Sequence, residues 1–483
     1  MTAAGLPFEF APALPEMVLL GTACLVLVVD LFLSDEQRAW SYWLTQLGLL
    51  AAAWLTLVTQ HDQPVHALGR MFVADGISDW LKVFSYISVA LMLFYSRSYL
   101  TARGLFRGET FVLTVTALLG VTVMISADSF VTLYLGLELM SLSLYAMVAM
   151  PRDSEGAVEA AMKYFVLGSL ASGLLLYGMS MIYGATGTLD INAAAAAIIG
   201  GQANRVILVF GLVFVVSAIA FKLGAVPYHM WVPDVYEGAP TPVALLISTT
   251  PKLAAFAFAM RLLVGSLSAL AFDWQGMLLV LSLLSMILGN VIAIAQSNIK
   301  RMLAYSTIAQ MGFMLMGFLT ANTDGYSAAM FYTITYALTT LVSFGIVLLL
   351  TRAGFEADRL DDFKGLNQRS PWYAFLMLLA MFSLAGVPPT VGFYAKFTVL
   401  QAAIDVGFVW LAVVAVMASL VGAFYYLRII KLMYFDDPVD SIALESRVDT
   451  RILLSANGLL LLLLGVFPQR LLGLCVIAIN HSY

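Results

Sequence analysis

Runs of about twenty apolar residues follow one another along this whole chain, parted only by short polar linkers. That pattern decides the solvent. Hydrophobic residues make up 61% of the 483 positions and charged residues only 11%, whereas a compact soluble protein needs a far larger polar skin. A soluble enzyme, a nucleic-acid binder and a disordered chain are excluded together. The fold class is all-α and polytopic, because backbone in lipid must satisfy its own hydrogen bonds and long apolar runs do so as helices.

Bounded by charge, Gly or Pro, the runs place fourteen spans. They lie near residues 14–34, 42–60, 78–97, 109–127, 130–149, 158–184, 205–229, 241–265, 275–295, 301–320, 326–351, 371–400, 405–433 and 450–470. Five of the 24 Lys and Arg residues fall inside spans: Lys82, Lys163, Lys222, Lys252 and Lys396. Of the rest, fifteen lie in the linkers after odd-numbered spans, and four (Arg70, Arg205, Arg261 and Arg470) lie on the other side. By the positive-inside rule this predicts both termini outside, on the periplasmic face of a bacterial membrane. Residues 1–15 carry no Lys or Arg, so they do not read as a cleavable signal peptide.

Leu223-Gly224-Ala225-Val226-Pro227 in span seven is echoed by Leu384-Ala385-Gly386-Val387-Pro388 in span twelve. Five spans separate them, so a repeat of that length returns upside down. The expected organisation is three N-terminal helices over residues 1–108 and a first five-helix repeat (helices 4–8) over 109–265. An inverted second repeat (helices 9–13) covers 275–433, and a closing helix lies within 450–483. The prolines predict that helices 7 and 12 are broken, as helices are where they line a polar cavity. Chance kinks are the alternative.

Nothing points to a cofactor or metal on this chain. Cys24 and Cys475 form no Cys-x-x-Cys pair, His61, His66, His229 and His481 are scattered, and no glycine-rich nucleotide loop is present.

The charges kept inside the bilayer carry the chemistry. Each costs about 2.5–3.5 kcal/mol at mid-membrane. Glu138 and Lys252 lie eleven residues from their span ends, about 16 Å deep, and Lys222 about 10 Å deep. Lys163 is shallower, and Lys396 follows the Pro388-Pro389 break. Burial disfavours a charged amine and a nearby carboxylate favours it. A row of lysines beside one acid therefore reads as a proton wire with switchable stations. Blander readings stand beside it. Glu138 with Lys163 makes a structural ion pair, Lys163 snorkels to the inner surface, and Lys82 pairs with Asp79 one turn before it or snorkels. His229 is a satisfied structural histidine, and Asp234 and Glu237 are loop carboxylates.

The stretch Phe221-Lys222-Leu223-Gly224-Ala225-Val226-Pro227-Tyr228-His229-Met230-Trp231-Val232-Pro233-Asp234-Val235-Tyr236-Glu237-Gly238-Ala239-Pro240-Thr241-Pro242-Val243 resembles the signature of the antiporter-like subunits of respiratory complex I. The run from Ser297 to Gly312 resembles a second signature of that family. Within it the chain is most similar to the subunit N branch of bacterial NADH–quinone oxidoreductases. It ends without a long lateral helix, unlike subunit L, and it presents Lys396 where subunit M carries a Glu. The resemblance implies proton-transfer roles. Glu138 and Lys163 are the paired residues of helices 5 and 6, and Lys222 is the proton carrier of broken helix 7. Lys252 is the connecting lysine, Lys396 the exit residue, and His229 lies on the inner intake path.

The family also implies a translocase subunit in the inner membrane with no redox chemistry of its own. NADH, FMN, iron–sulfur clusters and quinone would belong to partner subunits. The partners would be neighbouring antiporter-like and small helical subunits, the lipid bilayer and protons, with no nucleic acid. A multisubunit cation/proton antiporter or a membrane-bound hydrogenase subunit of the same fold is the alternative, and a passive scaffold is a third reading. Scarce intramembrane acids weigh against a metal-cation site, which prefers several oxygens.

Overall fold

Local chemistry sets the helix starts in the computed structural model, which describes residues 8–201, 203–351, 354–438 and 447–483. Arg352 from the charge count, and the N-terminal boundary at residues 1–7, lie outside them. Side chains of Asp75, Ser129, Ser154, Asp190, Asn204, Asn298 and Asn322 each accept a first-turn backbone N–H, the usual start of a helix. The helices are α1 Leu14–Asp30, α2 Ala39–Val58, α3 Gly76–Ala102, α4 Gly108–Ile125, α5 Phe130–Val148, α6 Glu155–Thr186, α7 Ile191–Ile199, α8 Arg205–Leu223, α9 Trp231–Gly238 and α10 Thr241–Ala259. They continue with α11 Ala271–Ile294, α12 Ile299–Phe318, α13 Thr323–Leu350, α14 Leu366–Arg369, α15 Pro371–Ala385, α16 Val391–Asp405, α17 Val409–Phe435, α18 Val448–Val466 and α19 Gln469–Ser482.

Among the described residues, twelve helices are long and apolar enough to cross a membrane. The other two expected spans fall on α12, which carries Lys300, Arg301 and Gln310, and on the pair α15–α16, which is interrupted. The buried centre is α10, every residue of which is buried, with α13 beside it. Besides the short helices α9 and α14, three pieces among the described residues are additional to the expected spans. A hairpin of β1 Val65–Ala67 and β2 Phe72–Ala74 pairs Val65 with Ala74. The short α7 packs on the end of α10, and α19 packs on α3 and α13.

Two sets of helices repeat the same contacts. A Cβ on Gly120 of α4 would crowd Met140 N of α5, and one on Gly289 of α11 would lie 2.7 Å from Ala309 N of α12. At its end α10 continues as a π-helical turn, Met260–Ser266, whose Arg261 donates to Ile125 O, the last carbonyl of α4, at 3.2 Å. Arg428 of α17 likewise donates to Ile294 O, the last carbonyl of α11, at 2.9 Å.

The breaks occur where the prolines place them. Helix α8 ends at Gly224 with φ +78°, and α15 at Gly386 with φ +84°. The N–H of the following residue turns back in each, Ala225 to Ala220 O at 2.8 Å and Val387 to Phe382 O at 2.9 Å, the C-terminal cap that a left-handed Gly permits. These glycines correct the motif alignment by one residue. Gly224 corresponds to Gly386, not to Ala385, so Leu223 corresponds to Ala385 and Lys222 to Leu384.

Candidate functional site

A helix that stops inside a membrane leaves its last carbonyls without N–H partners, and its C-terminal dipole attracts cations. Both breaks put this to use. Lys252, midway along α10 and fully buried, donates to Leu223 O at 3.0 Å and to Lys222 O at 3.3 Å. Lys396, on α16 and buried, donates to Ala385 O at 3.0 Å and to Ser419 Oγ of α17 at 2.8 Å. Each ammonium also faces an aromatic ring, Lys252 over Trp231 at 5.2 Å and Lys396 over Phe313 at 4.9 Å. Neither has a carboxylate within ion-pair distance among the described residues.

Lys222, in the last turn of α8, donates to Ser141 Oγ of α5 at 2.8 Å. Glu138 stands one turn before Ser141, and its field reaches Lys222. Glu138 itself accepts a hydrogen bond from Ser172 of α6. The structure thus brings Glu138, Lys222 and Lys252 into one group across α5, α8 and α10.

Three expectations are corrected, one of them that Asp234 and Glu237 are loop carboxylates, since both lie on helix α9. Lys163 is exposed and does not pair with Glu138; it binds Asp234 Oδ2 at 2.7 Å and Glu159 Oε1 at 2.8 Å. The physical reason is position: Lys163 opens into a cleft of about 1470 Å³ lined by both carboxylates. Lys82 does not pair with Asp79 but forms a buried ion pair with Glu16 of α1 at 2.7 Å, while Asp79 accepts from His61. His229 lies half-buried in the connection between α8 and α9, and it does not line the charged cleft.

Sequence reasoning missed several polar groups. Asp234 and Glu237 are helical, on α9, and share Arg301 of α12 at 2.7 and 2.8 Å. Their spacing of three, matched to an Arg, was the available signal. Beside the second break lies a set of hydroxyls and one amide. Thr307 bonds Tyr336 at 2.7 Å, Thr339 bonds Ser383 at 3.0 Å, and Tyr332 bonds Gln310. Gln310 Nε2 in turn donates to Leu384 O at 3.0 Å, next to the carbonyl that holds Lys396. Gln310, Tyr332, Thr339, Ser383 and Ala395 line a cavity of about 10 Å³, room for about one water. Ser419 carried no signal, being one serine in an apolar helix.

Comparisons with known proteins bear on the family and the fold. Residues 127–422 match the model described as NADH:quinone oxidoreductase/Mrp antiporter, TM, and residues 17–125 that of NADH-ubiquinone oxidoreductase chain 4, amino terminus. The chain is 59% identical over 475 residues to NADH-quinone oxidoreductase subunit N of Thiobacillus denitrificans, covering 98% of each. A chain of respiratory complex I from Thermus thermophilus superposes with a TM-score of 0.81 at 30% identity, over 95% of this chain and 98% of that one. A chain of the Mrp complex from Dietzia sp. shares the fold, with a TM-score of 0.83 at 21% identity over 98% of this chain and 97% of that one. With identity this high across nearly its full length, the chain belongs to the NADH-quinone oxidoreductase subunit N family.

Proposed function

We propose that this chain conducts protons across a bacterial inner membrane as a subunit of an NADH:quinone oxidoreductase, along Glu138, Lys222, Lys252 and Lys396. The observation that carries the reading is the pair of buried ammonium groups held by freed carbonyls rather than by carboxylates. An amine with no fixed counter-ion is not locked in its charged form. It can release and regain a proton when a neighbouring charge changes, because one pKa unit is only about 1.4 kcal/mol. Lys222 lies within the field of Glu138, and Lys252 within that of Lys222, so a change at the acid is felt at successive stations. The hydroxyl and amide groups around Gln310 continue towards Lys396, which releases the proton on the outer side. Lys163, bound to Asp234 in the charged cleft, serves the intake end; His229 takes part from the α8–α9 connection.

In this reading the chain crosses the membrane fourteen times with both termini outside, and its halves at 109–265 and 275–433 are inverted copies. Neighbouring antiporter-like and small helical subunits flank it. NADH, FMN, iron–sulfur clusters and quinone belong to partner subunits, whose quinone reduction supplies the energy. Moving one charge against 100 mV takes about 2.3 kcal/mol, within the range of a few such electrostatic steps.

The test is proton pumping by the assembled complex in membrane vesicles. Lys222→Ala and Lys252→Ala should each lower the protons moved per NADH oxidised. Normal pumping by both would leave the chain a scaffold, and Na⁺ or K⁺ exchange by the isolated chain would make it an antiporter.

A further inference from the structure

Four helices, α6, α8, α9 and α10, meet at one buried indole. Trp231, the first residue of α9, stacks on Tyr164 of α6 with centroids 4.7 Å apart and planes 10° apart, and on Phe221 of α8 at 5.6 Å. Its Nε1–H donates to Phe221 O at 2.9 Å, which fixes the ring's rotation. Tyr164 in turn meets Tyr145 of α5 edge-on at 4.6 Å. The Lys252 ammonium of α10 lies over the indole, 5.2 Å from its centroid. One turn further along α9, Asp234 is gripped by Lys163 and Arg301, both at 2.7 Å. The short helix therefore has ion pairs at one point and the aromatic face under Lys252 at another.

We propose that Trp231 is a positioning residue of the proton path, coupling the Lys163–Asp234–Arg301 ion pairs in the charged cleft to the charge state of Lys252. The proposal rests on the reading that Lys252 carries protons. A ring face attracts an ammonium and not a neutral amine, most strongly where water is excluded. Any shift of α9 that slides the indole changes how firmly Lys252 keeps its proton. Release of Lys163 from Asp234 would supply such a shift, since it removes one of the two cations on that carboxylate. Of the elements packed on α10, which are α3, α4, α5, α8, α9, α12 and α13, α8 brings the charged group whose field reaches Lys252, namely Lys222.

The experiment follows proton pumping against pH in vesicles bearing the assembled complex. Trp231→Leu should move the alkaline limb of the profile down by about one pH unit, and Trp231→Phe, which keeps a ring, by less. Tryptophan fluorinated at this one position keeps the shape but drains the ring face of negative potential, so successive fluorines should move the limb in steps. This series decides the matter even where Trp231→Leu fails to assemble. Asp234→Asn should shift the limb in the same direction, and should add nothing in a Trp231→Phe background if the two act through α9. A fluorinated series that leaves the limb in place, or shifts from Asp234→Asn and Trp231→Phe that simply add, overturns the proposal. Lys252→Ala is run alongside: unimpaired pumping there would instead remove the proton-path reading itself.

Discussion

The two broken helices share a backbone and differ in what they are given to hold. At Gly224 the crossing helix α10 sends in a lysine, Lys252, while Lys222 adds a second amine on the broken helix itself. At Gly386 the crossing helix α17 sends only Ser419, which donates to Ala385 O at 3.2 Å, and the amine arrives from α16 beyond the break. The position matching Lys222 is an apolar Leu384. Glu138 and Ser141 face the first break, whereas Gln310, a neutral amide, faces the second. The first site is therefore rich in charges that sense each other, and the second is a single amine among hydroxyls. The shared carbonyl anchor teaches that a cation can be supplied from either side of a break. What distinguishes the halves is how many charges stand close enough to interact.

The hardest blow to this comparison comes from the amines. Lys252→Ala and Lys396→Ala should each reduce pumping at least tenfold, about 1.4 kcal/mol or more at the limiting step. A normal Lys396→Ala complex would show that only the first break matters. Next in size is the contrast between the two arginines. Arg261 holds Asp75 in a buried double hydrogen bond at 2.7 and 2.9 Å, whereas among the described residues Arg428 holds carbonyls alone. Burial by itself would push the Asp75 carboxyl up, and the guanidinium overrides this to hold it below the usual carboxylate range. Its folded value lies below the unfolded one, so its contribution is present above about pH 4 and is lost as pH falls further. The thermal midpoint of the solubilised complex should drop between pH 5 and pH 3, roughly in those terms. Asp75→Asn should cost about 3 kcal/mol at pH 6 and flatten that dependence. Arg428→Gln should lower the midpoint equally at both pH values.

Smaller effects sharpen the same contrast. Gly224→Ala and Gly386→Ala each force a left-handed residue to carry a Cβ, at about 1–2 kcal/mol. The new atom would meet Val232 Cγ2 at 2.6 Å in the first case and Lys396 Cδ at 2.8 Å in the second. The first should therefore lower assembly more than pumping, and the second pumping more than assembly; equal losses in both assays would argue against the assignment. Least of all, Ser419→Ala leaves Lys396 its bond to Ala385 O and should slow pumping by about fivefold, the worth of one hydrogen bond.

Much of this was legible before any coordinates. Apolar run length fixed the class of fold, since lipid admits helices and little else. Gly224, Pro227 and their partners in span twelve marked the breaks, because backbone conformation there depends on residue type alone. The deep lysines stood out because an amine in oil demands a reason. Partner choice was not legible. Lys82 had Asp79 one turn away, but the packing of α1 against the bundle offered Glu16 instead. Lys163 was drawn to a carboxylate 71 residues later in the chain, a distance that no helical periodicity spans. Nothing in the sequence singles out Trp231, since its three neighbours come from three other helices.

The peptide oxygens of Leu223 and Ala385 carry one more implication, for inheritance. Every amino acid brings the same oxygen, so no replacement at either position can erase the point to which an amine is tied. Mutation can reach these docks only by refilling the turn or by withdrawing the amine. The lineage of such a chain is thus free to relocate its lysines from one helix to another while the mooring itself persists.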